Sequence, residues 1–430
     1  MGKASRARWD GNVRSMAIVA KPRDEITAED IAFLRENYTS TGGLLPNAYA
    51  GGAFYTPTHV ARFVIEALRG LCGGQFAVGS RWLEPSCGSG VFLEHIPDDA
   101  EITALELDDL SAKVTSLIYP HANVIQGDAF THDRRDYYDF VVGNPPYGVT
   151  IDIAADTLPD TFETLRTTKG RAKGKSECAF IELAIKAVKP GGYIAFVLPM
   201  GLNYASYAEN VRRLLYETCW HVATIMLPGE TFALTGTTIP TQILIVRKAP
   251  PGTPLIPSAE KRWGSKFKRS DYGDITQFDA KFLAGQTPAY FAQITDIGYD
   301  AKGKPTPSKW NDGLTQLDEL LDDFTDDYLT RSNLYPHIPS WHSVKDVSAF
   351  MFSHGNGSCD GYRYASYTYS DGPYRWNELT LGAGEEVEWN GEEVSTFDFA
   401  WQDRIVADYY AELTEETGSL PSITPEMEAA

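Results

Sequence analysis

The stretch DFVVGNPPYG, residues 139–148, decides how the rest of the chain is read. Phe140, Val141 and Val142 make a continuous apolar run of the kind a strand buried on both faces carries. The run stops at Gly143, Asn144, Pro145, Pro146 and Tyr147. Two adjacent prolines can neither continue a sheet ladder nor open directly into a helix, so the backbone is rigid where the strand ends.

Outward from this point the pattern alternates between strand and helix. RWLEP (81–85) reads as a short strand, followed by the turn SCGSG and a helix beginning at VFLEHI. EITALEL (101–107) reads as a second strand and DLSAKVTSLI (109–118) as a helix. NVIQGDAF (123–130) and YYDFVVGN (137–144) are two more strands. SECAFIELAIKAVKPGG (176–192) has helical spacing, with Ser176 as cap and Pro190-Gly191-Gly192 as stop. YIAFVLP (193–199) is a buried strand and SYAENVRRLLYE (206–217) a helix, and HVATIMLP and TQILIVRK supply two last strands. Earlier, residues 28–38 and 62–71 carry helical apolar spacing. Such alternation predicts a doubly wound, mostly parallel α/β sheet.

The alternation fails after about Ala249. The expected organisation is an N-terminal helical extension over 1–45, a catalytic domain over 46–249, an accessory region over 250–419 and a disordered tail over 420–430. Five cysteines (72, 87, 178, 219 and 359) contain no CxxC pair, and none of the eight histidines suggests a metal cluster, so no metal is expected. No apolar run approaches the ~18–20 residues of a membrane helix, and the first residues lack a signal-type apolar stretch. A cytoplasmic protein with no membrane partner is expected.

The net charge of −20 argues against indiscriminate nucleic-acid binding, but its distribution matters more. Residues 371–430 hold fifteen Asp and Glu against two Arg, a net of −13 that leaves only −7 for the rest. Two basic clusters stand out, Lys169, Arg171, Lys173 and Lys175, then Lys261, Arg262, Lys266, Lys268 and Arg269. Each is a solvated face or a phosphate contact.

Ligands of open α/β sheets bind outside the carboxyl ends of the strands. Four successive strand ends carry suggestive residues. The first bears Glu84, Pro85, Ser86, Cys87, Gly88 and Gly90, whose glycines admit close backbone approach. The second bears Glu106, placed to hold two ribose hydroxyls, with Leu107 after it. The third bears Asp128, Ala129 and Phe130, with Asp128 placed to accept from an adenine amino group, and the fourth bears Asn144-Pro145-Pro146-Tyr147. Singly, each has a plain reading: a surface carboxylate, a tight turn, an Asx cap, a strand terminator. A dinucleotide site would share the glycine turn, but the full G-x-G-x-x-G is absent.

The ordered set resembles S-adenosylmethionine-dependent DNA adenine-N6 methyltransferases, over roughly residues 28–249. The order FYTP (54–57), cofactor loop LEPSCGSGVFL (83–93), NPPY and a distal recognition region is that of the gamma arrangement. TGTT (235–238), DIGYDAKGK (296–304) and the N-terminal ITAEDIAFLRENYTSTGGL resemble further stretches of the group, the last in phage and mobile-element members. The resemblance implies a seven-stranded Rossmann-like methyltransferase sheet and S-adenosyl-L-methionine as cofactor. Tyr55, Thr56 and Pro57 would touch its methionine part, and ALELD and GDAF its ribose and adenine. It also implies duplex DNA as partner, with a restriction or specificity partner possible.

The motif has a chemical rationale. An adenine amino group is a weak nucleophile because its lone pair is conjugated into the ring. Acceptors on its two hydrogens, the Asn144 side-chain oxygen and the Pro145 carbonyl, draw the nitrogen toward tetrahedral geometry and stabilise the charge that develops. Tyr147 is expected to stack on a flipped base, with Phe232 on the opposite face; a core position is the plain reading of Phe232. The basic loop 169–175 is expected to clamp phosphate and to be mobile without DNA. NPPY also occurs in enzymes acting on cytosine N4, RNA bases or a protein glutamine, and a non-catalytic cofactor-binding subunit is a third reading.

Overall fold

Apolar runs with few breaks become the centre of one sheet. The computed structural model describes residues 13–39, 56–203, 205–235, 238–253, 290–306, 315–322, 324, 386–389, 392–395 and 399–417. The strands that matter here are β1 (Arg81–Glu84), β2 (Glu101–Glu106), β3 (Asn123–Gln126), β4 (Tyr138–Gly143), β5 (Thr150–Ala154), β6 (Arg166–Thr168), β7 (Arg171–Lys175), β8 (Val188–Pro199), β9 (Cys219–Leu227), β10 (Thr241–Lys248) and β11 (Tyr290–Gln293). The helices that matter here are α1 (Ala28–Thr39), α2 (Thr58–Leu71), α3 (Asp109–Ile118), α4 (Ser176–Ala187), α5 (Glu209–Thr218), α6 (Gln316–Asp322) and α7 (Phe399–Thr417).

The main sheet runs β11-β9-β10-β8-β4-β1-β2-β3, and β5, β7 and β6 form a small sheet of their own. Only β10 runs against its neighbours in the main sheet; the other pairs are parallel. Seven strands thus make the doubly wound Rossmann-like sheet expected from sequence, and β11 adds an eighth at the edge. Successive residues of a strand point to opposite faces. Accordingly Trp82, Val142, Ala195 and Val197 belong to one apolar cluster with α2, and Leu83, Val141, Ile194, Phe196 and Leu198 to the other with α4 and α5. Trp82 stacks on Phe140 at 4.2 Å between centroids, with Phe76 edge-on to both.

The chain reverses direction between β1 and β4. From β1 it winds outward to β2 and β3, then returns to β4 and proceeds to β8. The loops after β1 and β4 therefore diverge to opposite faces and leave a crevice at their carboxyl ends.

Three local expectations need correction. Residues 88–96 form successive tight turns and no helix. Gly88 and Gly90 have φ of +50° and +73°, outside the helical region, and the turns seat Val91, Phe92 and Leu93 in the core. Helix α4 stops at Ala187, before Pro190-Gly191-Gly192, because Val188 already pairs with Tyr138 of β4. The stretch around Lys169 to Lys175, expected as a mobile loop, is a hairpin: β7 pairs with both β5 and β6, and Ala172 is fully buried. Arg171 and Lys173 also pair with Asp152 at 2.8 and 2.7 Å. Such exposed pairs are screened by solvent and contribute little, so the ladder and the buried alanine do most of the ordering.

Helix α7 docks at the amino end of β8. Tyr410 donates to the Pro190 carbonyl at 3.1 Å, and Asp403 pairs with Arg247 at 2.6 Å. The Arg247 guanidinium lies over the rings of Tyr193 and Trp220. Gly191, at φ +83°, meets Val406 so closely that a Cβ there would lie 2.6 Å from its Cγ1. Gly191→Ala should therefore destabilise the chain by ~1–3 kcal/mol and loosen α7. Thermal unfolding and limited proteolysis check this; adding Val406→Ala should recover the steric part, and a pair that simply adds contradicts the contact.

Candidate functional site

The crevice holds a cavity of about 540 Å³, well within the size of small-molecule sites. Its walls come from the four strand ends named from sequence. From the loop after β1 come Glu84, Pro85, Ser86, Cys87 and Gly88, from β2 Glu106 and Leu107, from β3 Asp128, Ala129 and Phe130, and from β4 Asn144 and Pro146. Thr56 closes one side. Pro57 caps α2 with extended backbone, while Tyr55 lies outside the described residues.

The glycine turn is shaped by what packs behind it. A Cβ at Gly90 would stand 2.7 Å from the Tyr119 ring and 2.8 Å from Thr115 of α3. Thr115 in turn donates its hydroxyl to the Gly88 carbonyl at 2.6 Å. Helix α3 is capped by Asp108, whose side chain accepts from the Ser111 N–H at 2.7 Å. Glu106 ties the first two strand ends together, its two oxygens accepting from the Gly88 and Asp108 N–H groups at 2.8 and 2.9 Å. Asp128 accepts from the Phe130 N–H at 3.0 Å, as an Asx cap does, and still lines the cavity. Leu107 is 69% exposed beside it.

Glu84 is different in kind. It is 2% exposed, and its Oε2 is buried with no hydrogen-bond partner. Burial first, and then the charge of Glu106, pushes its carboxyl well above the ordinary value. Burial also raises Glu106, against the pull of its backbone donors. Two carboxylates that resist ionisation on the wall of one cavity favour a cationic ligand, whose charge would compensate them. Ser86 Oγ is likewise buried without a partner. The Cys87 thiol is held well above its usual range by burial and then by Glu84 and Glu106, so it stays protonated and is no nucleophile. Among the described residues no group of three His, Cys, Asp or Glu side chains is arranged for a metal.

At the end of β4 the structure departs from sequence expectation. Asn144 and Pro146 line the cavity, and Pro145 is buried. Tyr147 is 7% exposed, and its hydroxyl is aimed at the Asn144 Oδ1 and at the Val197 carbonyl, 3.0 Å away. Burial and the nearby Glu177 raise that hydroxyl well above its ordinary pKa, so it remains a donor. The Tyr147 ring is thus no open platform for a base. Phe232 is 1% exposed within the core on the α2 face, so the plain reading of that residue is the correct one. Lys169, Arg171 and Lys173 are exposed on the hairpin, but the Lys175 Nζ turns to the Gly148 carbonyl at 3.2 Å. Lys261 to Arg269 lies outside the described residues.

Sequence reasoning missed Val149, Ile151 and Phe180, which complete the cavity wall. The signal for Val149 and Ile151 was the apolar alternation Val149, Ile151, Ile153 just after the prolyl turn.

A family model described as N-6 DNA methylase matches residues 45–261, just over half of the chain. The chain is 28% identical over 253 residues to "Defense against restriction protein B" of Escherichia phage P1, covering 57% of this chain and 10% of that one. It is 31% identical over 173 residues to "Modification methylase CviBIII" of Paramecium bursaria Chlorella virus NC1A, covering 38% and 42%. It is 27% identical over 209 residues to "Type II methyltransferase M.CvrRI" of Paramecium bursaria Chlorella virus XZ-6E, covering 47% and 50%. The chain thus spans half or less of these relatives.

The state of Glu84 makes a pH-dependent expectation. The folded carboxyl keeps its proton at pH values where the unfolded chain, near its ordinary 4.5, has lost it. The resulting stability is complete below that value and is lost as pH rises through the folded one. Glu84→Gln removes this titration. Its melting temperature should gain on that of the natural chain as pH rises above about 4.5, and a gap independent of pH would count against an unpaired buried carboxyl.

Proposed function

This chain belongs to the N-6 DNA methylase family, and from that premise we propose that it transfers a methyl group from S-adenosyl-L-methionine to the exocyclic N6 of adenine in DNA. The observation that carries the reading is one cavity whose wall holds both the unpartnered Glu84 carboxyl and the Asn144 carboxamide. S-adenosyl-L-methionine supplies an electrophilic methyl group on a sulfonium and carries an ammonium as well. Glu84 suits those positive charges, Glu106 and Asp128 suit hydroxyl and amino donors, and Phe130 and Leu107 offer apolar surface to a heterocycle. Thr56 and the Gly88 turn complete the cofactor side.

Asn144 acts on the acceptor. An amide oxygen has two lone pairs, so Oδ1 can receive the Tyr147 hydroxyl and still accept from an amine. With the Pro145 carbonyl as second acceptor, the amine is polarised by oriented dipoles, and no side chain has to remove a proton before transfer. A base in duplex DNA reaches such a pocket only by leaving the stack, at a cost of a few kcal/mol. Opening the Tyr147 ring toward that base requires a side-chain movement away from its buried position.

The DNA contact is assigned to the hairpin. Arg166, Lys169, Arg171 and Lys173 are exposed on β6, β7 and their turn, and β7 pairs with β5, the strand that follows the Asn144 turn in the chain. Phosphate contacts there would be salt-sensitive. A restriction or specificity partner and a cytoplasmic site of action belong to the same proposal. No described helix is long and apolar enough to cross a membrane.

Purified chain incubated with methyl-labelled cofactor should label duplex DNA at adenine N6, and neither RNA nor protein. Asn144→Ala should lower the transfer rate by ~10²-fold or more, while cofactor affinity by calorimetry changes little. Label in RNA or protein alone would move the reading to another amino or amide nitrogen. An Asn144→Ala chain with natural activity would end it.

A further inference from the structure

The turn that carries Asn144 cannot hold itself. Pro145 and Pro146 have no N–H, and residues 144–149 form no regular element. The partners of this backbone come instead from the start of α4. The Ser176 hydroxyl lies 2.6 Å from the Pro146 carbonyl and 3.1 Å from Glu177 Oε2. It has one proton, and the shorter contact takes it. The Gly148 N–H donates to Glu177 Oε2 at 3.0 Å, and the Ser176 N–H donates to the Val149 carbonyl at 3.0 Å. The Lys175 Nζ reaches the Gly148 carbonyl at 3.2 Å. Four polar groups of the turn's backbone are thus met by three consecutive residues. Ser176 is 0% and Glu177 2% exposed, so water does not substitute for them readily.

A carboxylate in this position is not needed to start a helix. Its side chain does not cap its own helix; it points across to the turn. We propose that Ser176 and Glu177 are positioning residues for methyl transfer: they lock the peptide planes from Pro146 to Val149 and thereby aim the Asn144 carboxamide and the Pro145 carbonyl at the acceptor amine. This inference rests on the function proposed above. Neither residue lines the cavity, so neither is a cofactor contact.

The test compares Ser176→Ala, Glu177→Ala and Glu177→Gln in the full chain, with duplex DNA and S-adenosyl-L-methionine. Misaimed acceptors lower the chemical step, so kcat should fall by ~10- to 100-fold in the two alanine variants, with the KM and the calorimetric affinity for the cofactor little changed. Glu177→Gln still presents an oxygen to the Gly148 N–H and should recover most of the rate. Ser176→Ala removes a single hydroxyl and serves as the folded control for Glu177→Ala, with melting temperatures recorded for both. Natural kcat in both alanine variants overturns the inference, as does a parallel loss of stability, cofactor affinity and rate that Gln does not rescue. A natural chain that methylates no acceptor overturns the function beneath it, and the inference falls with it.

Discussion

Everything at this site depends on seating a polar, donor-poor turn at the end of a buried strand. Buried backbone groups need partners, and β4 ends where two prolines have removed two donors. Two features of the fold meet the need. Strand β8 lies beside β4, with Gly143 opposite Phe196, which brings the Val197 carbonyl to the Tyr147 hydroxyl. Helix α4 begins against the turn and supplies the Ser176 and Glu177 contacts. The same helix holds the segment that leads into the basic hairpin. Glu182, 2% exposed, accepts from the Glu163 and Thr164 N–H groups at 2.9 and 2.8 Å. The turn and the basic hairpin are therefore registered to one rigid element.

Charge is sorted along the same lines. Glu84, Glu106, Asp108 and Asp128 all border the cavity, and nothing basic lines it. Arg166, Lys169, Arg171 and Lys173 stand on the hairpin outside it. In the proposed reaction this sorting suits two ligands of opposite charge, a cationic methyl donor inside and a polyanion across the rim. It also makes the overall −20 a poor guide, since much of that charge sits in the last sixty residues.

Where local chemistry dominates, the sequence was easy to read. Helix α3 was legible to the residue, because Asp108 caps it and Ala112, Val114, Thr115 and Ile118 turn one face inward. The strand ends lining the cavity were legible because glycines, carboxylates and the prolyl turn mark them at even intervals. Tertiary packing hid the rest. Nothing local distinguishes Phe232 in a core from Phe232 over a base, and the rotamer of Tyr147 depends on a carbonyl fifty residues away. Pro190-Gly191-Gly192 has the composition of a helix stop, yet strand pairing begins before it. The basic segment 169–175 has the composition of a loop, yet one buried alanine and a register with β5 order it. Ser176 and Glu177 looked like an ordinary helix start, and only the fold brings them to the turn.

The central claim is that the crevice between β1 and β4 is built to hold a cation beside Glu84, in the same cavity that Asn144 lines. Titration calorimetry of S-adenosyl-L-methionine at a series of pH values from about 4.5 upward, repeated in buffers of different ionisation enthalpy, tests it most directly. The account expects saturable binding that releases protons as the Glu84 carboxyl ionises against the ligand, with the release lost in Glu84→Gln. Absence of binding, or equal proton release in both proteins, would contradict it.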